Sequence, residues 1–118
     1  MTPALLCLLI PLAGDCSDYV RDVPAITSIV RNQARYNGRQ VSVTGRVSKL
    51  DQWTSRGGYV QETFSLCDGG CVRVYMETHS AIHDGQLVTV RGQYYQAYAA
   101  GAKTFYNEIE GSEVLLRE

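Results

Sequence analysis

Apolar and polar residues alternate over 41–48: Val41, Val43, Gly45 and Val47 are separated by Ser42, Thr44, Arg46 and Ser48. That two-residue period predicts a strand with one buried face. Just upstream the period changes. Ile26, Ile29, Val30 and Ala34 recur at helical spacing, predicting a short helix over 24–35 with Asp22 as cap and Pro24 in the first turn. Tyr36-Asn37-Gly38 would end it, since Asn and Gly accept the positive φ of helix termination.

The strand has an echo. The stretch 38–47 aligns without gaps on 85–94, and each copy opens on a glycine, carries Val-x-Val or its equivalent at the same offset, and has a second glycine seven residues after the first. Two strands entered from glycine turns are predicted, with Gly45 and Gly92 where a missing side chain permits the coil that closes a small barrel. Between them lie strands over 58–67 and 71–77, joined by the hairpin signal Asp68-Gly69-Gly70. An irregular or helical link over 78–84 follows. A last strand over 103–110, extending toward 116, comes after a small-residue loop over 97–102. The fold expected is all-β with one or two short helices: a five-stranded OB-like barrel preceded by an N-terminal helix.

The run 29–47, with Tyr-Asn-Gly-Arg-Gln-Val-Ser-Val-Thr-Gly-Arg-Val at 36–47, is followed by Leu66-Cys67-Asp68-Gly69 and by 84–92. Together these resemble small bacterial exported OB-fold proteins of the tRNA-anticodon-binding-like type, over roughly 24–116. The motifs are turn glycines and core valines, so the resemblance implies a fold and transfers no catalytic residue. The OB-fold haem chaperone of cytochrome c maturation shares only the shape, because its His-x-x-x-Tyr motif is absent here.

Composition agrees with one globular domain: 118 residues, 45% hydrophobic and 19% charged, which excludes disorder, collagen and coiled coil. Eleven Lys plus Arg against twelve Asp plus Glu give a net charge of -1. A generally basic nucleic-acid footprint is therefore missing, and any phosphate binding would need a local patch.

Residues 4–13 form a ten-residue apolar run, too short for a hydrocarbon core of about 30 Å. The run reads as a signal-peptide core, although no Lys or Arg precedes it. The division expected is a leader over 1–15, a linker over 16–23 and the OB domain over 24–118. Export to the periplasm or outside the cell is the localisation expected, with lipid anchoring at Cys16 a weaker variant because Asp15 spoils the lipobox. A cytoplasmic location is the alternative. Cys7 would leave with the leader, while Cys16, Cys67 and Cys71 would remain.

If Val60, Phe64, Leu66, Val72, Val74 and Met76 face inward, parity puts Tyr59, Gln61, Thr63, Arg73 and Tyr75 on the outer face of the second and third strands. That is where OB folds take ligands, and rings there stack on bases or sugars. Trp53, in a polar loop over 51–57, joins this candidate set, although an ordinary solvated strand face carries similar residues. Tyr94, Tyr95, Tyr98 and Tyr106 are expected to pack near the opposite rim. Glu62, on the inner parity, is read as marking a bulge.

Cys67 and Cys71 share parity across the hairpin, within reach of the ~3.8 Å Cβ separation of a disulfide. A zinc site shared with His79 and His83 is the competing reading, opposed by the extended strand that separates the two pairs. No nucleophile elbow, phosphate loop or metalloprotease motif is present, so neither catalysis nor a cofactor is expected. The function expected is a non-catalytic exported binding module for a small ligand, an oligomer or a protein. The alternatives are a cytosolic single-stranded nucleic-acid module and an envelope adaptor that meets another protein through a sheet edge.

Overall fold

A computed structural model describes residues 22–117. The leader, most of the linker, and the predicted roles of Cys7 and Cys16 lie outside the described residues. Among the described residues no helix is long and apolar enough to cross a membrane.

Where one helix was expected there are two short ones, α1 (Ile26–Arg31) and α2 (Gln33–Tyr36). The break falls at Asn32, whose φ of -135° and ψ of 50° leave the helical region. Its Nδ2 donates to the Ser28 carbonyl at 3.0 Å, an alternative to continuing the helix that short polar side chains provide. Ala25 takes the cap position without a side-chain bond. Asp22 is drawn instead into a parallel bridge with Val41. Ile26 and Ile29 are buried and close one end of the barrel, whereas Val30 and Ala34 remain exposed.

Five strands follow: β1 (Gln40–Thr54), β2 (Val60–Cys67), β3 (Cys71–Met76), β4 (Leu87–Ala100) and β5 (Lys103–Leu116). They form a closed barrel in the order β1-β2-β3-β5-β4. Only the β3–β5 pairing is parallel, and it brings Arg73 opposite Glu108 and Tyr75 opposite Glu110.

The two echoing strands lie side by side, with Val43 opposite Val90 and Val41 opposite Gly92. Gly38 and Gly85, which open them, both have positive φ, 79° and 89°. Val41, Val43, Val88 and Val90 are fully buried with Phe64, Leu66, Val74, Tyr94 and Ile109. The second glycine of each copy is a place of close approach. A Cβ at Gly45 would come within 2.9 Å of the Cys67 carbonyl oxygen and of Ile26, and one at Gly92 would collide with the Glu110 carbonyl oxygen.

Three expectations are corrected. The polar loop over 51–57 is shorter than predicted, because β1 continues to Thr54 and pairs Trp53 with Gln61. The small-residue loop over 97–102 is mostly ladder, with Ala97 opposite Tyr106 and Ala100 opposite Lys103, turning only at the tip. The bulge assigned to Glu62 lies across the ladder in β1, between Ser48 and Asp51, where Lys49 has φ 56°.

Glu62 therefore keeps its inward register. It is fully buried and accepts hydrogen bonds from Gln52 Nε2 (2.8 Å), the Ser80 backbone N–H (2.7 Å) and Ser80 Oγ (2.6 Å). A buried carboxylate with three donors is a satisfied structural group. It ties the irregular 78–84 connector to the barrel wall.

Candidate functional site

On the outer surface of β2, β3 and β5 lies a cleft of about 390 Å³. Gln61 enters from β2 and Arg73, Tyr75 and Glu77 from β3 and its end, while Glu108 and Glu110 enter from β5. Trp53 at the end of β1 forms one flank. Tyr98, Ala100 and Phe105, from the part of the β4–β5 hairpin beyond the barrel, form the other.

The parity argument is right for Gln61, Arg73 and Tyr75, and Trp53 joins them on the cleft wall. Tyr59 does not. It is 73% exposed and borders an adjoining depression with Ser55, Gly58, Val60, Gln61 and Glu77. Thr63 shares the outer parity but lies outside the cleft lining. Val60, expected inside, is exposed, because β2 only begins there and runs past the barrel end. Of the tyrosines expected to pack, Tyr94 does so. Tyr98 instead lines the cleft, with its ring 5.2 Å from that of Tyr95, and Tyr106 is exposed.

Arg73 organises the centre. Its Nε donates to Glu108 Oε1 at 2.8 Å, and its guanidinium lies 4.7 Å from the centroid of the Phe105 ring. Glu108 is almost wholly buried, so this charge-assisted bond offsets the cost of removing its carboxylate from water. Beside it, Gln61 Nε2 donates to the Tyr75 hydroxyl at 2.7 Å and fixes that ring's outer edge.

Glu110 is the perturbed group. Its pKa is raised from 4.5 to about 7, first by desolvation, then by the charge of Glu108, a hydrogen bond with it and the charge of Glu77, with Arg73 acting in the opposite direction. Two carboxylates this close on one strand cannot both ionise freely.

The sequence did not reveal the β5 contribution, because a strict two-residue alternation would put Phe105 and Glu108 on opposite faces. Asn107 interrupts it with φ 55°. Its side chain is held at both ends: Oδ1 accepts from the Tyr94 hydroxyl at 2.7 Å, and Nδ2 donates to the Cys71 carbonyl at 2.8 Å. Burial pushes the Tyr94 hydroxyl up to about 12, so it stays a donor. The available signal was the residue type, since Asn accepts left-handed φ more readily than most.

Cys67 and Cys71 face each other in register, with sulfurs 2.09 Å apart. The four candidate zinc ligands are not gathered. His79 Nε2 meets the Trp53 carbonyl at 2.8 Å, and His83 Nδ1 meets the Asp84 carbonyl at 3.0 Å. Among the described residues no group of three or more His, Cys, Asp or Glu is arranged to hold a metal ion.

No protein-family model matches the sequence, and no curated protein matches it. Solved structures do. A protein described as an aspartyl-tRNA synthetase of Leishmania major Friedlin is 14% identical, with TM-score 0.61, over 81% of this chain. This chain spans only 20% of that one's length. The structure of yeast Stn1 and Ten1 aligns over 94% of this chain and 69% of its own, at 10% identity and TM-score 0.65. Mitochondrial single-stranded DNA binding protein Rim1 of S. cerevisiae aligns over 70% of this chain and 97% of its own, at 13% identity and TM-score 0.49. The barrel is an OB fold. At these identities the likeness establishes architecture, and the residues of the cleft must speak for themselves.

Proposed function

We propose that this chain is a binding module that acts without turnover and holds its ligand in the cleft between Trp53, the β3 face and the extended β4–β5 hairpin. One observation carries the reading. Four rings from four different strands, Trp53, Tyr75, Tyr98 and Phe105, converge on an open outer surface instead of entering the core. Aromatic rings gathered around a few placed polar groups are the usual composition of a ligand site. The test is a two-dimensional NMR screen of the full chain against a chemically mixed fragment library. Saturable shifts clustered at Gln61, Tyr75, Tyr98 and Phe105 support the cleft, and shifts that cluster anywhere else overturn it.

Export belongs to the same proposal, with the apolar run over 4–13 and the facing pair Cys67 and Cys71 as its support. Fractionation of expressing cells, with thiol counting on the recovered protein, tests it. Recovery from the envelope with Cys67 and Cys71 blocked supports export, and cytosolic protein with both thiols free overturns it.

A second reading, a module for single-stranded nucleic acid, is favoured by the fold shared with a protein named for its action on a tRNA and by the rings on the customary OB surface. Against it stand three carboxylates and a single guanidinium on the cleft wall. A phosphate chain laid there would meet net repulsion. Oligonucleotide titrations at low and high salt decide, because phosphate contacts are strongest at low salt.

A further inference from the structure

We infer that the ligand of this cleft carries a positively charged nitrogen, an alkylguanidinium or alkylammonium group, held beside Glu110 and Glu77 and against the rings of Trp53, Tyr75 and Tyr98. The inference rests on the reading of the cleft as a ligand site and names the chemistry that site would select.

The wall shows how it already treats one cation. Arg73 is seated between a ring and a carboxylate, 4.7 Å from the Phe105 centroid and 2.8 Å from Glu108 Oε1. Guanidinium on an aromatic face with a carboxylate at its donors is a favourable and specific arrangement. The same two components occur again in the lining, where Glu110, opposite Tyr75 in the ladder, and Glu77 accompany the rings of Trp53, Tyr75 and Tyr98. No Lys or Arg besides Arg73 contributes to the lining.

The field has a definite sign. Glu77, Glu108 and Glu110 face one guanidinium, and the charges of Glu108 and Glu77 both push the Glu110 proton affinity upward. A cation arriving beside Glu110 relieves that repulsion and takes the place of the proton. An anionic group would add to it. The aromatic walls supply the rest: they exclude water on the faces of the ligand and attract positive charge through their ring quadrupoles.

Two sources offer this chemistry, a free polyamine and a basic side chain on a peptide, and the experiment separates them. Trp53 is the only tryptophan of the sequence and lines the cleft, so its fluorescence reports occupancy. The full chain is titrated with spermidine, with a triarginine peptide, and with oligothymidylate and maltotriose as anionic and neutral comparisons. A saturable change with spermidine or triarginine is expected, weakened about tenfold in Glu110→Gln and in Glu77→Gln, the order expected for loss of one partly desolvated ion pair.

Binding should also be about fivefold tighter at pH 8 than at pH 6, because a carboxyl titrating near 7 goes from about one-tenth to nine-tenths ionised across that range while its neutral form still binds about tenfold more weakly. The groups that line the cleft with it are Arg73 and Tyr75 from β3, Glu77 just past its end, Glu108 from β5 and Tyr98 from β4. His79 touches the Trp53 carbonyl, so a His79→Gln variant controls for a change at the fluorescent reporter itself. Circular dichroism confirms that each variant is folded.

Cationic probes that fail to bind, or that bind equally well to both glutamine variants, overturn the inference. If oligothymidylate or maltotriose binds while both cations fail, the charge assignment falls and the cleft stands. If the fragment screen maps elsewhere, the cleft itself falls.

Discussion

Replacing Glu110 by glutamine should change how stability depends on pH. In the folded protein this carboxyl holds its proton up to about 7, against 4.5 for an exposed one. Below pH 4.5 the folded and unfolded chains are both protonated there, and the full contribution is present. As pH rises through 4.5 the unfolded chain releases its proton while the folded one retains it, so stability declines until the folded group has also titrated. The shift corresponds to roughly 3 kcal/mol at about 1.4 kcal/mol per pKa unit, and because Glu110 is only half-buried, solvent screening reduces this to about 1–2 kcal/mol. Glutamine keeps the shape and loses the titration. Urea unfolding at intervals from pH 4.5 to pH 8.5 should show Glu110→Gln more stable than wild type by about 1–2 kcal/mol at pH 8, with the difference shrinking toward pH 5. Parallel stability curves for the two proteins would refute the electrostatic account of the cleft.

Arg73→Ala should destabilise by about 1–3 kcal/mol by leaving the buried Glu108 without its cation, and adding Glu108→Ala should recover part of that loss, a coupling that a double-mutant cycle in urea measures. Glu62→Ala should cost about 3–5 kcal/mol, since three donors lose one buried acceptor. Hydrogen exchange at Ser80 should rise with it, and unchanged exchange there would show that the connector is held by other contacts. Gly92→Ala should lower stability by about 1–3 kcal/mol through its collision with the Glu110 carbonyl, read as a drop in the thermal midpoint, whereas Gly38→Ala should show only the smaller cost of a left-handed backbone.

The barrel was legible because its strands announce themselves twice over. The period-two valines of β1 and β4 are buried on one face by necessity, and the glycines that open and crowd them fall at equal offsets. Half of the cleft followed from the same parity, through Gln61, Arg73 and Tyr75. The far wall did not. Ala97, Ala99 and Ala100 have little intrinsic strand preference, so residues 97–102 read as a loop, yet cross-strand pairing with 103–106 holds them extended. Phe105 and Glu108 were hidden by one left-handed asparagine that breaks the alternation on which the reading depended. Asn32 had the same effect in the helical segment, where apolar spacing promised a single helix and a side-chain amide ended it.

The β4–β5 hairpin divides into two parts with different obligations. Up to Tyr94, whose backbone still bonds to Gly38 and Arg39, β4 is flanked by β1 or the segment leading into it on one side and by β5 on the other, and beyond it the described ladder is with β5 alone. Past Gln96, whose N–H is caught by Asn37, the described backbone bonds of this arm are those of its own ladder. The aromatic flank carrying Tyr98 and Phe105 thus stands on a cantilever. On the proposal that the cleft holds a ligand, lengthening, trimming or recolouring the free end of this arm would retune what the groove admits while leaving the interior valines untouched, so that selectivity could change without a change in foldedness.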